Sequence, residues 1–452
     1  MTPSWTKDAI FYHIYPLGLC GAPPTNDLHQ PSVDRLDSVI PWLDHIKDLG
    51  VNALYLGPVF QSSRHGYDTI DYYQVDRRLG NNDTLSRFVD AAHHRGIRVI
   101  LDAVFNHVGR QFWAFEDVRR QGENSDYRHW FKGLRFEGRS PAGDPFQYES
   151  WQGHYSLVNL NLDHPHVRAH LFDAVGMWMD RFGIDGLRLD AADCLDFDFL
   201  SALKGFTRAR RSDFWLMGEV VHGDYRQWAN PDTLDTVTNY ETYKALYSSL
   251  TDGNYHEVAY ALNRQFGPDG LYCNLWLYNF VDNHDVDRVA SKLGDPGLLY
   301  PLYLLLFTMP GIPSIYYGSE WGIKGQKQGW SDAPLRPALD LNHSRKAGPQ
   351  PDLQWDIQRL ARLRKSYPSL RLGDYRQVLV KPRQFAFQRQ VGQETIVIAL
   401  NSDQETARVD LPLNQPTGTL VDVLNGNEKF DIIQGQVQMS LPRKWGRVLK
   451  LF

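Results

Sequence analysis

The chain reads as an α/β protein, a (β/α)8 barrel with a small subdomain inserted after the third strand and a C-terminal antiparallel β-sandwich. Three observations predict this. From residue 9 to residue 367, short apolar runs alternate with amphipathic helical stretches, the rhythm of parallel βα units. One aromatic-rich segment, 109–161, breaks that rhythm. Beyond residue 370 the texture changes to short alternating runs at regular spacing. The expected boundaries are 1–108 and 162–370 for the barrel, 109–161 for the insertion and 371–452 for the sandwich.

Residues 9–15 are β-branched and aromatic and close at Pro16, a good first strand. Residues 34–49 place Leu36, Val39, Ile40, Leu43, Ile46 and Leu49 at helical spacing, with Gly50 as C-cap. A second strand covers 51–59, and the polar loop His65-Gly-Tyr-Asp-Thr69 follows. The spacing predicts a helix over 84–94, stopped by Gly96, and a third strand over 97–104. The insertion is too long for an ordinary loop and too aromatic for a disordered one.

The rhythm resumes with a helix over 165–181 and a fourth strand over 186–190. A helix near 198–210 and a fifth strand over 214–220 come next. The sixth strand is 236–240; helices run to residue 265; the seventh strand is 275–281 and the eighth 314–317. A helix over 354–367 closes a barrel that the insertion enlarges beyond the usual ~250 residues. A doubly wound open sheet is the alternative, but no Gly-rich dinucleotide fingerprint follows strand one. Six strands are expected in the sandwich: 385–388, 395–400, 407–411, 419–424, 437–441 and 446–451.

Composition narrows the function. A net charge of −5 and no basic stripe argue against a nucleic-acid partner. Cys20, Cys194 and Cys273 are too sparse for a disulfide framework or a zinc site, which points to a reducing compartment. The apolar stretch 298–317 is interrupted by Pro301, Pro310 and Pro313, so a buried helix and strand are expected rather than a membrane span. The opening residues lack the basic start and apolar run of a signal peptide, and the expected location is cytoplasmic.

Four strands end in charges where a core strand should be apolar. Arg188 and Asp190, two apart, share one side of an extended chain. Asp102, Asn106 and His107 end the third strand, Glu219 ends the fifth, and Asp282, Asn283, His284 and Asp285 end the seventh. Buried charges must be paired, and catalytic groups of a barrel sit at the C-terminal ends of several strands. Three carboxylates with Arg and two His suit metal-assisted hydrolysis or glycoside cleavage. Coordinating spacing is poor: His284 and Asp285 are adjacent and expected to diverge, and no His-x-His ends a strand.

Asp102-Ala-Val-Phe-Asn-His107, Gly186-Leu-Arg-Leu-Asp-Ala191, Gly218-Glu-Val220 and Phe280-Val-Asp-Asn-His-Asp285 resemble, in order, the four signature segments of the alpha-amylase family of glycoside hydrolases. His65-Gly-Tyr-Asp-Thr69 and Gly311-Ile-Pro-Ser-Ile-Tyr-Tyr-Gly-Ser-Glu320 add two further matches. The resemblance implies that Asp190 is the nucleophile, Glu219 the general acid and base, and Asp285 the stabiliser of the transition state. Arg188 would keep Asp190 ionised. Apolar Met217, Val220 and Val221 would raise Glu219. A retaining member would hold Asp190 and Glu219 about 5–5.5 Å apart. His107 and His284 would bond sugar hydroxyls, and Tyr67 would stack beneath the ring.

The family's branches differ at finer positions. Asp193-Cys194 stands where many alpha-amylases carry Lys-His, a departure shared with the cyclomaltodextrinase, maltogenic amylase and neopullulanase branch. Asp332 and Arg336 resemble that branch's pair gripping the second sugar, and Leu157-Val-Asn-Leu-Asn161 also resembles it. The branch's extra N-terminal sandwich is not seen ahead of the first strand, and Phe280-Val-Asp-Asn-His-Asp285 is closer to alpha-amylases. The implied substrate is an alpha-glucan oligosaccharide or cyclodextrin; alpha-amylase on starch, alpha-glucosidase and transglycosylase are the alternatives. A monomer or weak homodimer is expected. No cofactor is expected to be required. Calcium is left open: Asn106 matches a family ligand, while Asp126 and Asp144 are candidates whose plainer reading is a solvated carboxylate.

Overall fold

The computed structural model describes residues 2–329 and 331–452. Met1, first of the opening stretch read for a targeting signal, lies outside the described residues. Eight parallel strands make the barrel: β1 (Phe11–Ile14), β2 (Ala53–Leu56), β3 (Arg98–Ala103), β4 (Gly186–Leu189), β5 (Trp215–Gly218), β6 (Thr236–Val237), β7 (Tyr278–Asn279) and β8 (Ile312–Tyr316). They pair in sequence order, with β1 beside both β2 and β8. A parallel bridge between Thr238 and Tyr278 joins β6 to β7 and closes the ring.

The strands are apolar on both faces because both are covered. Phe11, Ala53, Tyr55, Ile100, Trp215, Met217, Tyr278 and Ile312 fill the interior. Their neighbours, such as Tyr12, Leu54, Leu101, Leu187 and Leu216, pack outward with the helices. The apolar stretch forms helix Leu299–Thr308, feeding β8. Among the described residues no helix is long and apolar enough to cross a membrane.

β6 and β7 are shorter than predicted, for a local reason. Asn239 caps helix Tyr240–Thr251 by accepting from Thr242 N, so the chain turns helical where the sixth strand was expected to continue. Asn239 Nδ2 then donates to Asn279 Oδ1 at 2.9 Å, and Asn279 Nδ2 to Pro310 O at 2.7 Å. Side-chain amides thus link these strands where the backbone ladder ends. The polar loop after β2 is the turn of a ribbon, Phe60–Ser62 against Thr69–Val75. Gly66 has φ of +89° there, and a Cβ would meet Pro58 Cβ at 2.7 Å, so glycine suits this turn.

In the 109–161 region, helix Trp113–Gln121 packs Phe115 edge-on against Phe131 and Tyr148, each at 5.1 Å. Its base is a two-strand ribbon, His107–Gly109 with Leu157–Asn159. The C-terminal sheet has eight antiparallel strands: β9 (Asp374–Val380), β10 (Gln384–Val391), β11 (Glu394–Asn401), β12 (Ala407–Pro412), β13 (Thr417–Asp422), β14 (Lys429–Ile433), β15 (Gln436–Leu441) and β16 (Trp445–Leu451). Their order is β9-β10-β11-β16-β13-β14-β15-β12. The sheet folds over its own core of Ala386, Val397, Val409, Leu420 and Met439, while Phe385, Phe387 and Ile398 join the barrel's core. β9 and β14 were not predicted.

Candidate active site

Three strand ends, those of β3, β4 and β5, converge on one guanidinium. Arg188, inside β4 and buried, donates from Nη1 to Asp102 Oδ1 and to Asp190 Oδ1, both at 2.8 Å. Its Nη2 lies 2.7 Å from Glu219 Oε2. Asp190 and Glu219 therefore sit on the two terminal nitrogens of one side chain. The expected pairing of Arg188 with Asp190 holds, but the guanidinium is shared among three carboxylates. Burial pushes the Asp190 carboxyl well above the ordinary range; Glu219, Asp102 and Asp285 add to this, and Arg188 opposes it. Arg188 thus favours the ionised Asp190, in the expected direction, but works against burial and three neighbouring carboxylates.

Glu219 is held differently from the apolar pocket expected of it. Tyr240 Oη donates to Oε1 at 3.2 Å and Ala191 N to Oε2 at 3.3 Å. Asn283 Nδ2 in turn donates to Tyr240 Oη at 3.1 Å. Met217 packs into the barrel interior instead. Ala191 sits at φ 44°, ψ 46°, a left-handed conformation uncommon for a residue with a Cβ. That turn directly follows Asp190 and brings the Ala191 N–H onto Glu219. Such strain clusters at functional sites.

Asp285 forms the opposite wall. Its Oδ2 lies 2.8 Å from His284 Nε2, and its Oδ1 accepts from Arg336 Nη2 at 2.8 Å. The adjacent His284 and Asp285 thus converge, against the expectation that they diverge. Asn283 Oδ1 accepts from Asp285 N at 2.8 Å and Val286 N at 3.2 Å, which bends the chain back on itself. Asp282 Oδ2 anchors this turn by accepting from Val289 N and Ser319 Oγ. Burial works to raise Asp285, but the His284 imidazole and the Arg336 guanidinium hold it well below the ordinary carboxylate range. Arg336 also donates to His284 O at 2.9 Å and Asp332 Oδ2 at 3.0 Å, and Lys327 lies 3.1 Å from Asp332.

Two aromatic groups floor the site. Tyr67 Oη donates to Asp102 Oδ2 at 2.9 Å and also meets His284 Nε2. Its ring is stacked on His284 at 5.3 Å. His107 Nε2 is buried without a hydrogen-bond partner, 4.0 Å from Asp190 Oδ2. Burial, aided by His65, pushes His107 down to about 3, so it is neutral in ordinary buffers. Among the described residues Asp190 Oδ2 likewise has no hydrogen-bond donor, in contrast to Oδ1 on Arg188.

All nine predicted residues thus belong to one connected cluster. Tyr55, Tyr240 and Ala191 were missed, and Asp102 was noted only as a strand end. Asp102 is the base of the network, since Tyr55 Oη also donates to it, at 2.7 Å. A buried charge inside β3 was signal enough to find it. The calcium candidates do not gather. Asp126 is exposed. Asp144 is buried rather than solvated, with both oxygens on Arg110 at 2.6 and 2.7 Å. A guanidinium stands where a cation would need those oxygens. Among the described residues no group of three or more His, Cys, Asp or Glu is arranged to hold a metal ion.

Residues 26–382 match the family model "Alpha amylase, catalytic domain", and 375–444 match "Maltogenic Amylase, C-terminal domain". A barrel carrying these carboxylates at its strand ends, matched over most of its length, makes this chain a member of the alpha-amylase family of glycoside hydrolases. A cyclomaltodextrinase of Bacillus sp is 34% identical over 429 residues, covering 89% of this chain and 74% of the relative. A solved cyclomaltodextrinase superposes with a TM-score of 0.87 at 30% identity, over 100% of this chain and 79% of that one. The cyclic alpha-maltosyl-(1→6)-maltose hydrolase of Arthrobacter globiformis gives 0.81 at 26% identity, over 100% and 99%.

Proposed function

We propose that this glycoside hydrolase opens alpha-1,4-glucosidic bonds of cyclodextrins and short maltodextrins by retaining double displacement. The observation that supports it most is the sharing of Arg188 by Asp190 and Glu219. One side chain holds both carboxylates side by side. Asp190 Oδ2, the oxygen free of hydrogen bonds, attacks the anomeric carbon. Glu219 protonates the departing oxygen and later deprotonates water. Four carboxylates (Asp102, Asp190, Glu219, Asp285) face two guanidinium groups, so the cluster favours keeping one proton. In the productive form that proton is on Glu219, ready for the departing oxygen. Asp285, kept ionised, faces the positive charge that develops on the sugar. Neutral His107 offers its free Nε2 to a sugar hydroxyl. No step calls for a cofactor. Cys20, Cys194 and Cys273 are free thiols, in keeping with a reducing cytoplasm.

The preference for rings and short chains is supported by the names of the relatives and by Asp332 and Arg336 beside Asp285. Product analysis on soluble starch, beta-cyclodextrin and maltotriose tests it. Fast ring opening with slow starch attack is expected. Fast starch attack with inert rings would make the chain an alpha-amylase by specificity. Glucose release from maltotriose alone would make it an alpha-glucosidase, and larger products would mark a transglycosylase. Proton NMR of the first-released sugar should show the alpha anomer; the beta anomer would overturn the retaining step.

A further inference from the structure

His13 lies beneath the site on β1, and nothing in the chemistry above uses it. It is buried at 3% exposure inside the barrel. One face stacks on Tyr55, with ring centroids 4.1 Å apart and an interplanar angle of 20°. It meets His284 perpendicularly at 5.1 Å and 88°, and Tyr316 at 4.9 Å. Its two main neighbours belong to opposite walls. Tyr55 Oη donates to Asp102, which holds Arg188. His284 Nε2 holds Asp285 Oδ2.

We propose that His13 is a positioning residue for glycosidic cleavage: its ring locks the Tyr55–Asp102–Arg188 wall to the His284–Asp285 wall. This rests on the reading of Asp285 as the transition-state stabiliser. His284 needs such a support. Its Nε2 serves both Asp285 and Tyr67, while its Nδ1 is buried without a partner, so no hydrogen bond fixes the far side of the ring. The perpendicular His13 contact fixes it by packing. Edge-to-face is one of the two arrangements that aromatic rings favour.

The ring must also be uncharged. The groups facing it are Tyr55 from β2, Arg188 from β4, His284, Asp285 and Arg288 after β7, and Tyr316 from β8. Three of these are cationic or can become so, against one carboxylate. Burial, reinforced by His284 and Arg188, pushes His13 well below the ordinary histidine range. A neutral ring packs between the walls without competing for Asp285.

The test compares His13→Ala and His13→Phe with the wild type and with Asp285→Asn, on an aryl maltoside and on beta-cyclodextrin. His13→Ala should lower kcat about tenfold or more and move KM less than threefold. His13→Phe, which restores a ring, should recover kcat to within about threefold of wild type. An unchanged kcat in His13→Ala would overturn the proposal, as would equal losses in both variants. Asp285→Asn serves as the control. If it stays active, the reading of Asp285 fails. If it is inactive while His13→Ala is normal, only the role of His13 fails. Nitrogen-15 NMR of the wild type, with His13 assigned by difference, gives an answer even if His13→Ala does not fold. A neutral imidazole from pH 5 to 8 is expected, and titration within that range would overturn the proposal.

Discussion

The two ends of the barrel bury arginines in opposite ways. At the C-terminal mouth, Arg188 faces Asp102, Asp190 and Glu219. At the foot, among the described residues, Arg364 and Arg389 form no ion pair, and Asp8 and Asp374 act on them only at longer range. Arg364 donates to Phe307 O, Met309 O, Leu370 O and Gly311 O. Arg389 donates to Thr308 O, Leu370 O, Gly373 O and Asp374 O. These carbonyls lie at the ends of helices Leu299–Thr308 and Pro368–Leu372, where the chain leads into β8 and β9, and helix ends leave carbonyls without partners. Burial pushes both arginines down to about 9, which leaves them charged at neutral pH. The foot is a clasp between barrel and sheet in which backbone acceptors meet fixed donors. The mouth crowds carboxylates that oppose one another. Burial alone does not separate the two cases; the chemistry of the acceptors does.

The sharpest way to break this comparison is Glu219→Gln. It keeps the shape of the mouth but removes the proton donor, and kcat should fall by about 10³-fold or more, with maltodextrin affinity by calorimetry nearly unchanged. Near-normal turnover would sink the assignment. At the foot, Arg389→Met should do the reverse. It leaves several buried carbonyls unpaired, at a cost of about 3 kcal/mol, or roughly 3 °C in Tm for a chain of this length, while kcat per folded molecule stays at the wild-type level. A loss of activity without a loss of Tm would mean that the foot is functional.

Asp190→Asn sharpens the contrast further. A carboxyl raised in the folded state stabilises the fold fully below the unfolded value of about 3.9. That contribution is lost as pH rises through the folded value. In the productive form, with Asp190 ionised, that contribution is gone and the mouth carries a crowded charge. The amide carries none, and Arg188 keeps Asp102 and Glu219. The inactive variant should therefore melt about 2 °C higher at pH 7, an advantage that fades toward pH 4. A variant less stable than wild type at pH 7 would show that the Arg188–Asp190 pair supports the fold.

Much of the mouth was legible in the sequence because a charge at the end of an apolar strand is a local signal. Asp190, Glu219 and Asp285 each follow such a run. Tyr55 was not legible: in Ala53–Leu56 a tyrosine is an ordinary core residue, and only barrel closure aims its hydroxyl at Asp102. Tyr240 was read as the end of a strand, and its role depends on the turn at Asn239. The convergence of His284 and Asp285 needed the Asn283 turn, which residue spacing does not encode. In the sheet, β9 lies at an edge and β14 is mixed in polarity, so neither shows a clean apolar alternation.

The smallest expected effect lies at the rim of the mouth. Asp332 is partly exposed and bonds Arg336 and Lys327, while Arg336 is independently held by Asp285 and His284 O. Removing Asp332 therefore leaves the catalytic wall standing. A rim charge pair is worth about 0–1 kcal/mol to the fold, so Asp332→Ala should keep its Tm within a degree or two. If Asp332 grips the second sugar, the loss falls on binding. KM for maltotriose should rise about three- to tenfold with kcat nearly unchanged, and less for longer chains that have other contacts. An unchanged kcat/KM on maltotriose would reduce Asp332 to a surface charge. A fall in kcat instead would show that Arg336 needs Asp332 to hold Asp285, extending the constraint of the mouth out to its rim.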